Sequence, residues 1–140
     1  MLNKSKDGIV CDLCKIEVKS QFTYYSMDFR KVNVVNHKPE IRSILLERII
    51  KSIDCCENCG EEIKNRLIKN FKPTQSIYCE LSGKDLNGTY VLYYCMVDMV
   101  VMSNVRYIDK RHIEFNLCED EFNQFNQLSN KKIESEWTSN

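Results

Sequence analysis

IVCDLCKIEV (residues 9–18) recurs 68 positions later as IYCELSGKDL (residues 77–86), with serine where the first copy has its second cysteine. A Cys-x-x-Cys turn aims two sulfur atoms at one point, so the first copy reads as half of a metal site. The second reads as the same half with a ligand missing. Reading outward from these two stretches, the chain repeats four features in the same order.

The first copy runs from about Ile9 to Phe71. After its knuckle, Phe22, Tyr24 and Tyr25, then Val32, Val34 and Val35, predict the two strands of a hairpin. In PEIRSILLERIIKSI, Pro39 suits a first helical turn, and Ile41, Leu45 and Ile49 share a helical face. The copy closes with DCCENCGEEIKNRLIKNF, where Cys56 and Cys59 open a helical pattern of Ile63, Leu67, Ile68 and Phe71. Pro73 in KPTQS then marks a short linker. The second copy, from Ile77 to about Leu128, aligns Cys79-Glu-Leu-Ser82 with Cys11-Asp-Leu-Cys14 and Tyr93-Tyr-Cys-Met96 with Tyr24-Tyr-Ser-Met27, the latter one residue out of step. It sets Cys118 opposite Cys56 and Glu121 opposite Cys59. Ile113, Phe115 and Leu117 alternate as a strand, and Phe122 and Phe125 start a helix face. The expected organisation is a unit at 1–75, a degenerate copy at 76–128 and a polar tail at 129–140. Trp137 in that tail is read as exposed.

Four thiolates from two Cys-x-x-Cys turns suit one tetrahedral Zn2+. Cys11, Cys14, Cys56 and Cys59 meet that pattern, with 41 residues between the pairs. A thioredoxin-like redox site needs a single Cys-x-x-Cys and leaves the other pair unexplained. Cys55 is an alternative to Cys56 by spacing, and only the alignment of Glu57 with Glu119 favours Cys56. For the second copy two readings stand. Either the ion has been lost and apolar strands hold the unit, or Cys79, Cys118 and Glu121 form a weaker second site completed by His112 or Cys95. Carboxylate is uncommon in closed structural zinc sites and serine is a poorer ligand still, so one structural ion is expected.

At 140 residues the chain is one average domain or two very small ones, and units near 60 residues benefit from a staple. The opening MLNKSKDGIV has no apolar core of a secretory signal, so eight cysteines point to metal ligation in a reducing compartment rather than to disulfides. The longest apolar run, YVLYYCMVDMVVM, is short for a membrane helix and carries Asp98. The expectation is a cytoplasmic protein with no membrane association. Net charge is zero, but residues 1–75 hold 14 Lys/Arg against 10 Asp/Glu and residues 76–140 hold 6 against 10. Richness in Asn, Lys and Ile suggests an AT-rich genome, that of a virus or mobile element, and hence a host cytoplasm.

The knuckle CDLCKIEV, the strands after it and DCCENCGEEIKNRL together resemble treble-clef zinc fingers, in which the second cysteine pair opens a helix. The resemblance covers Ile9 to Leu128 as a double copy. It implies an α+β fold of two tandem small units (knuckle, β-hairpin, helix), the second lacking two ligands. Such folds host many activities, so function has to come from the residues. A non-catalytic binding protein with a protein partner, such as a small regulator or inhibitor, fits the neutral charge and the aromatic surplus of Phe22, Tyr24, Tyr25 and Phe29. Nucleic-acid binding would use the basic first unit, with Lys64, Arg66, Lys69 and Lys72 at its close. A nuclease of the HNH type needs clustered histidines. The chain has only His37 and His112, so no enzyme is expected. The residues carry no indication of oligomeric state.

Overall fold

The computed structural model describes residues 3–4, 8–19, 23–35, 38–39, 48–73, 77–102 and 106–130, and the account below concerns these. Tyr25, Met27 and Phe29 alternate with Ser26, Asp28 and Arg30. No Gly, Pro or Asn falls between Ser26 and Lys31, so nothing there turns the chain. The segment is therefore one long strand, β4 (Thr23–Val35), and not the two strands of a hairpin. Before it come β1 (Asn3–Lys4), β2 (Gly8–Val10) and β3 (Glu17–Lys19), an antiparallel ribbon that carries the first knuckle between β2 and β3.

The helix expected from Pro39 to Ile49 is not found at its ends. Lys38–Pro39 form β5 against the end of β4, and Ile49 opens β6 (Ile49–Cys56). Residues 40–47, with Ile41 and Leu45, lie outside the described residues, as do Phe22, His37 and Trp137. α1 (Glu57–Lys69) follows β6 directly, with Cys56 as its N-cap. Of its expected apolar pattern, Ile63 is buried while Ile68 and Phe71 are 74% and 68% exposed. The second half gives β7 (Val91–Met102), β8 (Arg106–Leu117) and α2 (Glu119–Asn130). Ser129 and Asn130, expected in the tail, belong to the last turn of α2.

The long strands form one antiparallel sheet in the order β6-β4-β7-β8, so the two hairpins meet through their first strands. β4 and β7 pair from Thr23↔Val101 to Asn33↔Val91, with Asp28↔Met96 at the middle. Position 96 is 68 beyond position 28, so a local two-fold axis passes through that pair. The same offset corrects the alignment of the strands: Tyr25 and Tyr93 are equivalent, since Tyr25 pairs with Cys55 and Tyr93 with Leu117, each one residue before the cysteine that opens a helix.

The backbone hydrogen bonds of the two halves coincide. Cys11 N–H donates to the Ile16 carbonyl (3.0 Å) and Cys79 N–H to Lys84 (2.7 Å); Lys15 N–H donates to Cys11 (2.9 Å) and Gly83 N–H to Cys79 (2.7 Å). Val10 bridges Glu17 as Tyr78 bridges Asp85. Lys15 and Gly83 share a left-handed backbone, φ 66° and 80°, which glycine adopts freely and lysine does not.

Both helices lie on one sheet face. Phe29 meets Phe122 and Phe125 of α2 at ring centroid distances of 5.5 and 5.4 Å, and Phe122 stacks on Tyr93 at 4.3 Å. In the first half the position of Phe122 is held by Gly60, where a Cβ would stand 2.1 Å from the Tyr25 ring. Each helix also reaches the other half. Asn70, just after α1, bonds the Leu81 carbonyl (2.7 Å), and Asn130 of α2 accepts from Lys51 of β6 (2.8 Å). One core therefore joins both halves, with Met27, Phe29, Ile53, Cys95, Phe115 and Leu117 among its most buried side chains.

Candidate metal centre

Cys11 and Cys14 come from the turn between β2 and β3, Cys56 from the end of β6 and Cys59 from the first turn of α1. Two hydrogen bonds, one backbone to backbone and one to a side chain, clamp the turn to the strand: Asp12 N–H donates to the Asp54 carbonyl (2.9 Å), and Asp54 N–H donates to Asp12 Oδ2 (2.8 Å). These dock the knuckle against the β6–α1 junction and bring the two cysteine pairs together. The four Sγ atoms all lie within 4.8 Å of one another, the one such group of metal-binding side chains among the described residues.

The spacing fits an ion. Four sulfurs arranged tetrahedrally about 2.3 Å from a centre stand about 3.8 Å apart. Cys11 and Cys59 Sγ are 3.7 Å apart, as are Cys14 and Cys56 Sγ. That is far beyond a disulfide bond, which is about 2.05 Å. Cys11 Sγ accepts backbone N–H groups from Cys14 (3.4 Å) and Cys56 (3.3 Å). Burial pushes the Cys11 thiol up, but the amides of Cys14, Cys56 and Leu13 outweigh it, and its pKa falls below the ordinary thiol value. Burial, reinforced by the neighbouring sulfurs, raises Cys14 and Cys59. Gathered thiols of this kind resist ionising together unless a cation shares their charge.

Cys55, adjacent to Cys56, is fully buried on the other face of β6, its Sγ 3.9 Å from Met27 Sδ. Burial drives its pKa well above the usual thiol value. The structure thus groups Cys56 and leaves Cys55 in the core.

In the second half the knuckle makes the same clamp, Glu80 N–H to the Asn116 carbonyl (2.9 Å) and Asn116 N–H to Glu80 Oε2 (2.6 Å). Cys118 and Cys79 are free thiols, and burial pushes the Cys118 thiol up, with Cys79 adding to the rise and the Glu121 amide and Ser82 hydroxyl opposing it. Glu121 is buried, yet its Oε1 accepts from Arg66 Nη2 at 2.7 Å. Cys95 lies in the core near Asp28 and Cys55, on a different part of the sheet, and His112 is placed by its backbone opposite Asp98. The described members, Cys79, Cys118 and Glu121, are not gathered into a metal-binding group, and the His112 side chain lies outside the described residues.

Sequence reasoning passed over three contributors. Asp12 and Glu80 are both carboxylates at the same knuckle position, a recurrence visible in CDLC and CELS, and each carboxylate accepts the clamp's second hydrogen bond. Arg66 left no local signal, because its partner Glu121 is 55 positions away.

Comparison with family models, with curated proteins and with solved structures finds no match. No helix among the described residues is long and apolar enough to cross a membrane.

Proposed function

We propose that the chain is a non-catalytic binding protein built on one structural zinc ion held by Cys11, Cys14, Cys56 and Cys59. The carrying observation is the sulfur cluster: four thiols from two separate segments at tetrahedral spacing. Zinc is the borderline-soft ion such a donor set favours. With all four positions taken by protein, no site is left for water or substrate, which supports a structural role over a catalytic one. The ion would join the knuckle to the start of α1, as in treble-clef fingers, and its binding would supply folding free energy. The repeated clamps and turns support descent of both halves from one such unit.

A protein partner is the reading we favour for the bound macromolecule, with the chain as a small regulator. Exposed apolar groups at the end of α1, Ile68 and Phe71, support it. The basic residues that a nucleic acid would need are partly engaged within the chain: Lys64 with Tyr25 and Glu61, Arg66 with Glu121, Lys72 with Gly83 and Tyr78.

Native mass spectrometry before and after chelation tests the metal. One zinc per chain, removed together with the folded signal in far-UV circular dichroism, is the expected result. A metal-free folded chain would overturn the reading. Fluorescence anisotropy with labelled DNA and RNA at physiological salt should show no binding, and a salt-dependent rise would favour the nucleic-acid alternative.

A further inference from the structure

We propose that Arg66 takes the place of a metal ion in the second half, holding a vestigial knuckle shut with a guanidinium charge. The positions equivalent to the four clustered cysteines are Cys79, Ser82, Cys118 and Glu121. In the first half an ion would tie the knuckle to the helix start. In the second half Arg66 Nη2 does this directly: it donates to Glu121 Oε1 (2.7 Å) at the start of α2 and to the Leu81 carbonyl (3.2 Å) within the knuckle. Glu121 Oε2 is buried and has no hydrogen-bond partner, so the guanidinium is the cation that balances this carboxylate.

The two-fold relation supplies an independent check. The counterpart of Arg66 in α2 is Leu128, which lines a cleft with Leu13, Cys14 and Cys59 beside the four-cysteine cluster; Glu62 and Arg66 of α1 border the same cleft, but the hydrogen bonds of Arg66 run to Leu81 and Glu121 of the second half. Where a metal fits, the facing helix offers an uncharged leucine. Where two ligands are gone, it offers arginine. Neighbouring groups of the same helix end reinforce the contact: Asn70 bonds the Leu81 carbonyl, the Lys72 N–H donates to Tyr78 Oη (2.9 Å), and Lys72 Nζ lies 5.2 Å from the Tyr78 ring centre.

This inference takes the first cluster as its template and so rests on the zinc reading, but the two fail differently. Native mass spectrometry with Zn2+ is run on the wild type and on the triple variant Arg66→Leu, Ser82→Cys, Glu121→Cys. One ion in the wild type and two in the variant is the expected result, with the thiolate-to-cobalt absorption per chain doubled after Co2+ substitution. No ion in the wild type overturns the zinc reading and removes the template. One ion in both, with the variant folded, overturns this inference alone, as do two ions in the wild type. Should the triple variant fail to fold, a thermal cycle of Arg66→Leu, Glu121→Leu and the double variant decides. Each single change should lower Tm, and the double should recover most of the loss. Additive losses overturn the proposal.

Discussion

Consecutive side chains of a strand leave on opposite faces, so Cys55 and Cys56 share a chemistry and face different surroundings. Cys56 joins three other sulfurs, while Cys55 fills space beside Met27. Cys56→Ala should therefore abolish the zinc binding proposed for the cluster, whereas Cys55→Ala should keep it at the expense of a small cavity; metal content of the two purified variants checks this. Gly60 is constrained by what lies above it rather than by its own backbone. A methyl there meets the Tyr25 ring, whose hydroxyl donates to Glu61 (3.0 Å) and accepts from Lys64 (3.0 Å), so the ring is not free to swing away. Gly60→Ala should cost about 1–3 kcal/mol by overpacking, against a helix-propensity gain of about 1 kcal/mol, read from denaturant unfolding. At this scale the cysteine pairs were legible from spacing, because a metal turn needs its ligands at fixed separations. Spacing alone left Cys55 and Cys56 open, because the choice depends on the phase of a strand; only the internal repeat favoured Cys56, the cysteine that the cluster contains.

At the scale of elements, the two helices that follow the cysteine corners were legible, while β4 and β6 were not. β4 alternates cleanly only in its middle, from Tyr25 to Arg30; Tyr24 and Val32 add buried side chains on the opposite face towards its ends, and that break in period imitates a bend. The helix signal of α1 was real, but its pattern overran the buried face: past Leu67 the chain leaves the sheet, and Ile68 and Phe71 turn outward. α2 is anchored by Phe122 and Phe125 against Phe29 and Tyr93. Phe122→Ala should destabilise the protein by about 3–5 kcal/mol, a loss typical of a buried aromatic ring. Ile68→Ser should fall within about 0.5 kcal/mol, the usual range for exposed positions. Equilibrium unfolding of the two variants side by side makes the comparison.

For the molecule as a whole, the repeat announced two units, and the sheet shows how they are joined. β4 pairs with β7, α1 grips the second knuckle and α2 touches β6. These are long-range contacts, which no window of local sequence contains. Loss of the zinc proposed for the first cluster should thus be felt in α2, although α2 carries none of the four clustered cysteines. Hydrogen exchange after chelation should show α2 amides losing protection together with those of α1. Retained protection in α2 would mean that the halves open separately. The axis through Asp28↔Met96 adds a genetic consequence. Two separate copies of such a half, meeting across that axis, would have to present the same residue to itself and would need the same ion twice. On the proposed descent from one unit, joining two copies in a single reading frame would end both obligations: aspartate could face methionine, and one copy could surrender its ligands while the other kept them.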